Sequence, residues 1–215
     1  MNYSAIVLCA GSGTRTGLAY NKMFVQIGGE TMYEKTMHVF MQDERCRQIV
    51  VVTKPQERQD FASLIQDERI VFADGGAERQ DSVYNGLSKV TEDVVMIHDG
   101  ARPYLKQDAL DRLCAAMDTC DACLLMVPVI DTIKRVKDGV VVETFERSEL
   151  MAAQTPQVFK TSAILEAHDY ARAHDVKVTD DASMMEVMGK KVVAVMGDYD
   201  NTKVTTASDV QHKPE

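Results

Sequence analysis

From Ala5 to Val127 strand-like and helix-like runs alternate, and this alternation restricts the fold more than any other feature. The apolar run Ala5-Ile6-Val7-Leu8 reads as a buried strand. So do residues 48–53, Ile70-Val71-Phe72, Val94-Val95-Met96-Ile97 and residues 122–127. Between them, Tyr33, Met37, Phe40 and Met41 share one helical face. Val83, Gly86, Leu87 and Val90 mark a second face, and Leu110, Leu113, Cys114 and Met117 a third. The charged segment 55–67 is read as helical. The pattern predicts an α/β fold, with a mostly parallel sheet and helices on both faces. Ligands in such folds bind beyond the carboxyl ends of the strands. That points to the loops 9–23, 74–82 and 98–104.

The first of these loops carries the strongest chemical signal. Cys9-Ala10-Gly11-Ser12-Gly13-Thr14-Arg15 follows the first strand directly. Gly11 and Gly13 let backbone N–H groups approach a ligand without a Cβ in the way. The glycines alone fit a plain strand-to-helix turn equally well. Arg15 and Lys22 tilt the reading toward a phosphate chain. A dinucleotide fingerprint fails here, because Thr16 stands at the third glycine position and no acid ends the next strand. That disfavours a nicotinamide-dependent oxidoreductase. No Gly-Lys-Ser/Thr tripeptide occurs, so a Walker loop is excluded.

The 215 residues, 45% of them hydrophobic, suffice for one large domain with a full core. A net charge of −9 argues against nucleic-acid binding but not against a local cationic pocket. No apolar run is long enough to span a bilayer, and no secretory signal opens the chain. The five scattered cysteines suit free thiols in a reducing cytoplasm. Cys120 and Cys123 have C-x-x-C spacing but no second pair, so structural thiols are favoured over metal or redox chemistry.

After Pro128 the pattern changes. Asp138-Gly139 between β-forming residues is a hairpin signal, and residues 131–153 are read as a projecting β-arm. It is either an arm that pairs with another subunit or an ordinary surface hairpin. One domain, 1–215, plus this arm is the economical description.

Further candidates follow the strands. Asp74-Gly75-Gly76-Ala77-Glu78-Arg79-Gln80-Asp81-Ser82 opens a helix and is a second candidate ligand loop, although taken alone it reads more readily as a capped helix start. Asp99, in His98-Asp99-Gly100-Ala101-Arg102-Pro103, stands where a carboxylate can hold Mg²⁺ beside phosphates. Arg102 either steadies Asp99 or binds a second anion. Gln154-Thr155-Pro156-Gln157 can present hydrogen bonds to a polar ligand, and Thr179-Asp180-Asp181 reads as a helix N-cap. Lys203 sits alone in a polar, β-prone stretch, where a lysine usually faces solvent.

Together these segments resemble the cytidylyltransferases that act on 2-C-methyl-D-erythritol 4-phosphate in the non-mevalonate isoprenoid pathway. The resemblance runs from about Ser4 to Asp209. It rests on the glycine turn, Asn21-Lys22, Gly75-Gly76 with Glu78-Arg79 and Ser82-Val83, and His98–Pro103. Asp131-Thr132-Ile133-Lys134, Gln154–Gln157 and Asn201–Thr205 complete it. It implies a nucleotidyltransferase (Rossmann-like) fold, a homodimer exchanging its β-arms, and a Mg²⁺-dependent reaction with CTP. By resemblance, Arg15 and Lys22 stabilise the triphosphate and the transition state. Backbone around Ala10, Gly11 and Gly76, with Ser82, reads the cytidine. Asp99 binds the metal, while Arg102, Thr132, Arg147, Thr179 and Lys203 handle the polyol phosphate, some reaching across from the partner's arm. A close relative, ribitol-5-phosphate cytidylyltransferase, generally has His-Asp-Ser-Val-Arg-Pro at the strand end. Gly100-Ala101 here favours the isoprenoid substrate. The presence of Arg15, Lys22, Asp99 and Lys203 together argues against a non-catalytic nucleotide-binding subunit, which need not keep transition-state cations.

Some positions depart from the family pattern. Cys9 replaces a usual Ala, Thr16 a Met, Met23 a Gln, and Ala77 an acidic or other polar residue. Asn21 replaces a usual Pro, which predicts a less rigid loop before Lys22. The chain also ends early, with little room for a closing helix after Asp209.

Overall fold

The computed structural model describes residues 1–11, 20–205 and 209. Gly13, Arg15 and Thr16 lie outside the described residues, as does most of the segment after Thr205. Strands β1 (Tyr3–Leu8), β4 (Cys46–Thr53), β5 (Ile70–Asp74), β6 (Val94–Asp99), β7 (Ala122–Pro128), β10 (Met151–Lys160) and β11 (Val193–Met196) form one sheet. Its spatial order is β11-β7-β10-β6-β1-β4-β5. All neighbouring pairs are parallel except those of β10, which runs antiparallel between β6 and β7. Two short strands, β2 (Gln26–Ile27) and β3 (Glu30–Thr31), pair separately.

Side chains alternate across this sheet and so build two cores. On one face, Ala5 and Val7 of β1, Ile49 and Val51 of β4 and Met96 of β6 join helices α1 (Met32–Met41), α2 (Arg58–Leu64) and α4 (Gln107–Ala116). On the other, Ile6, Val50, Val52, Val95 and Ile97 meet α3 (Arg79–Leu87), α5 (Thr161–Ala173) and α6 (Asp181–Val187). The four expected helical segments and the five expected strands are all present. Local chemistry starts α1 cleanly. The Thr31 hydroxyl accepts from the Glu34 N–H while the Glu34 carboxylate accepts from the Thr31 N–H.

The hairpin is a separate two-stranded ribbon, β8 (Lys134–Lys137) with β9 (Val140–Thr144). Asp138 and Gly139 both have positive φ, 51° and 78°, which suits a two-residue turn matched to strand twist. The expected arm, 131–153, is three residues too long. Met151, Ala152 and Ala153 already pair with Pro128, Val127 and Met126 in the main sheet.

Candidate active site

Four parallel strands end along one edge of the sheet, and their carboxyl ends line a cleft of about 570 Å³. Register places them side by side. Leu8 is level with both Val52 and Asp99, and Thr53 with Asp74. The residues just beyond therefore converge: Ala10 and Gly11 after β1, Lys54 after β4, Gly75 and Gly76 after β5, and Asp99 itself.

Close approach dictates the glycine pair. A Cβ on Gly75 would lie 2.5 Å from the Ala10 Cβ, and one on Gly76 would lie 2.2 Å from the Asp81 Cβ. Ser82 shapes the same turn, since its hydroxyl accepts from the Gly76 N–H at 2.9 Å and donates to the Glu78 carbonyl at 3.2 Å.

Asp99 is the electrostatic centre. Lys203 Nζ lies 2.6 Å from its Oδ2, and Arg79 Nε lies 3.4 Å from its Oδ1. Burial opposes the charge, but Arg79 and Lys203 hold the carboxyl well below the usual carboxylate range. Arg79 is anchored in turn by Asp181, whose wholly buried carboxylate sits 2.8 Å from Arg79 Nη1. Burial disfavours the arginine's charge, and Asp181 and Asp99 more than restore it.

Lys203 is carried on a segment outside any strand, contrary to its β-prone sequence. Three bonds fix that segment. Val204 N–H donates to the Ala101 carbonyl at 2.8 Å, and Arg102 Nη1 to the Asn201 carbonyl at 2.7 Å. Lys22 Nζ donates to the Val204 carbonyl at 3.0 Å, which brings the two lysines to one wall.

The backbone beneath Asp99 is held by Thr155 and His98. The Thr155 hydroxyl accepts from the Asp99 N–H at 3.0 Å and lies 3.0 Å from His98 Nδ1. His98 Nε2 lies 3.1 Å from the Arg102 carbonyl, which can only accept. The proton is therefore assigned to Nε2, and Thr155 donates to Nδ1. Burial pushes His98 down to about 4, against the pull of its hydrogen bond to Arg102, so the ring is neutral at pH 7.

The cleft thus gathers Lys22, Asp99, Lys203, Ala10, Gly11, Gly76 and Ser82. Within one chain it is not lined by Arg102, Thr132, Arg147, Thr155 or Thr179. Thr132, Arg147 and Thr179 are exposed, and Arg147 donates to the Ile130 carbonyl at the base of the ribbon. The Gln154–Gln157 stretch differs from the ligand-facing role expected of it. Gln154, Thr155 and Gln157 are buried. Gln154 donates to the Asp198 carbonyl, and Gln157 donates to Asp180 and accepts from the Ala182 N–H. Polar side chains in a central strand must find partners, and here they find the protein's own loops.

Sequence reasoning named two further residues without finding their roles. Asp180 is the N-cap of α6, as expected, but Asp181 turns inward to Arg79. No local pattern distinguishes those two aspartates. Asn21 is the second, buried at the mouth of the cleft and bonded through its whole amide.

A mixed sheet wound in this order, with a glycine turn, cations and an ionised aspartate at its strand ends, defines a nucleotidyltransferase-type α/β protein. Comparison with known proteins narrows this. The family model described as 2-C-methyl-D-erythritol 4-phosphate cytidylyltransferase matches residues 3–213. The protein of that name from Geobacillus thermodenitrificans is 48% identical over 98% of this chain and 94% of its own. The one from Geobacillus kaustophilus is 46% identical over the same shares. Among solved structures, 4-diphosphocytidyl-2C-methyl-D-erythritol synthase from Anaerococcus prevotii superposes with a TM-score of 0.87 at 27% identity, covering 98% of this chain and 95% of that one. The cytidylyltransferase from Francisella tularensis gives 0.84 at 29%, covering 99% and 98%. The chain belongs to the 2-C-methyl-D-erythritol 4-phosphate cytidylyltransferase family.

Proposed function

We propose that this chain transfers the cytidylyl group of CTP to 2-C-methyl-D-erythritol 4-phosphate and releases pyrophosphate. The observation that carries this reading is the convergence of Lys22, Lys203 and Asp99 on the glycine-lined cleft, in a chain of this family. A phosphate monoester is already a competent nucleophile near neutral pH, so no general base is required. The barrier is repulsion between two anions, which fixed cations lower by electrostatic preorganisation. Lys22 and Arg15 are assigned to the triphosphate, and Lys203 to the polyol phosphate. The backbone of Ala10, Gly11, Gly13 and Gly76, with Ser82, is assigned to the cytidine.

The donor set fits Mg²⁺ only as an ion shared with substrate. Among the described residues no three His, Cys, Asp or Glu side chains gather as a metal site. Mg²⁺ commonly takes one or two carboxylates and completes its shell with phosphate oxygens and water. Asp99, ionised and in the cleft, would hold it. When bound, the ion neutralises phosphate charge.

We further assign the ribbon to a homodimer contact. Ile133, Val136, Val140, Val141, Val142 and Phe145 are all exposed on or beside it, more apolar surface than a solitary hairpin normally shows. Thr132 and Arg147 flank the ribbon and are assigned to the partner's cleft, with Arg102 and Thr179 closing the polyol phosphate site. No helix among the described residues is long and apolar enough to cross a membrane. Five free cysteines are consistent with the cytoplasm.

The test is pyrophosphate release from CTP and Mg²⁺ with each polyol phosphate in turn. Release is expected with 2-C-methyl-D-erythritol 4-phosphate. Faster release with ribitol 5-phosphate, or none with either, would overturn the assignment.

A further inference from the structure

Asn21 stands where the family usually has a proline, and its side chain takes up bonds that a proline cannot make. Its side chain is buried and every polar group of its amide is used. Nδ2 donates to the Cys9 carbonyl at 2.8 Å and to Glu57 Oε2 at 2.8 Å. Oδ1 accepts from the Met23 N–H at 3.1 Å, which caps the short helical turn Lys22–Phe24. The three partners lie on three pieces of chain: the end of β1, the turn after β4, and the turn that carries Lys22. The second oxygen of Glu57 faces Lys54 Nζ at 3.4 Å. Lys54 and Lys22 both line the cleft.

We infer that Asn21 is a positioning residue that fixes Lys22 in the CTP-binding cleft, with Glu57, in the turn after β4, as its anchor. The bond to Glu57 has a charged acceptor and is only partly exposed to water, so it is the stronger kind of hydrogen bond. Glu57 thereby does two things at once. One oxygen locks the residue before Lys22, and the other restrains Lys54. One carboxylate thus meets Lys54 directly and, through the Asn21 amide, holds the backbone that carries Lys22. A proline would fix one dihedral of the chain but could not tie these three segments together.

This inference rests on the assignment of Lys22 to the triphosphate, so Lys22→Ala is measured alongside. Asn21→Ala should lower kcat/KM for CTP about tenfold or more, since small misplacement of a catalytic group is costly. KM for the polyol phosphate should move less than KM for CTP, through the one bond from Lys22 to the Val204 carbonyl beside Lys203. Asn21→Asp keeps the acceptor for Met23 but sets a carboxylate against Glu57, and should be worse than Asn21→Ala. Adding Glu57→Gln to Asn21→Asp removes the repulsion and supplies a new donor, so the double variant should recover most of the additional loss. CTP binding by calorimetry without the second substrate should weaken in the same order. Equal activity of Asn21→Asp with and without Glu57→Gln would overturn the proposal. So would a lowered melting temperature with kcat/KM per folded enzyme unchanged. A Lys22→Ala enzyme of normal activity would instead remove the underlying assignment of Lys22.

Discussion

At Asp99 two cations meet one carboxylate, Lys203 at 2.6 Å and Arg79 at 3.4 Å, and each arrives from a distant part of the chain. Arg79 comes with its own buried counter-ion, Asp181, so its charge is fixed whether or not substrate is bound. Among the described residues the Lys203 ammonium meets only Asp99, and its proposed role is to exchange that carboxylate for a phosphate oxygen. Lys203→Ala should therefore lower kcat about 10²–10³-fold, the loss expected for one preorganised charge in a dry site. Single-turnover cytidylyl transfer would show it, and a rate within a few fold of the parent would remove Lys203 from the chemistry. The aspartate and the lysines were legible as types at strand ends or in a cationic turn. The Arg79–Asp181 pair was not, because an ion pair between helices leaves no periodic trace along a sequence.

At the level of elements, the glycine turns do the most with the least. Gly75 sits where β5 and β1 loops touch, and the Ala10 Cβ occupies the space its own Cβ would need. Gly75→Ala must push the two loops apart by a methyl's width. We expect kcat/KM for CTP to fall about 10²-fold, with the polyol phosphate KM less affected, by the sensitivity of oriented reactions to ångström shifts. Steady-state kinetics at varied CTP would decide, and an unchanged value would sink the idea. The alternating first half was readable from periodicity because each helix buries one stripe and each strand an apolar run. Strand β10 was not readable. It holds Gln154, Thr155, Pro156 and Gln157, a polar set with a residue that cannot donate to a ladder. The structure accommodates Pro156 at a register break between Ala153 and Gln157, where no ladder bond is demanded. The stretch 201–205 shows the converse, β-prone residues kept out of a sheet by bonds to Ala101 and Arg102.

For the whole molecule, two buried histidines tie stability to pH. Burial lowers both His98 and His168 to about 4, with Arg79 lowering His168 further. Unfolded, each protonates near 6.5. Between those values the unfolded chain binds more protons, so stability rises with pH and is lost as pH falls from 6.5 toward 4. His168 has no hydrogen-bond partner on either ring nitrogen among the described residues, so it holds no network in place. His168→Leu should leave the melting temperature at pH 7 equal or higher and flatten its decline in acid, and an unchanged slope would refute this. Assembly offers a separate test. If Arg147 serves the partner's cleft, Lys22→Ala and Arg147→Ala homodimers are each impaired, yet a mixture forms some dimers with one intact site. After subunit exchange, activity should return to about a quarter of the parent's for a two-fold symmetric pair. A mixture no better than its components would place Arg147 elsewhere.

The antiparallel strand has a mechanical meaning as well. From the end of the ribbon at Thr144 the chain passes one short helical turn, Arg147–Glu149, and enters β10, whose Thr155 hydroxyl seats the Asp99 backbone. The outer hairpin and the backbone of the central acid are thus joined through a single strand and the turn that leads into it.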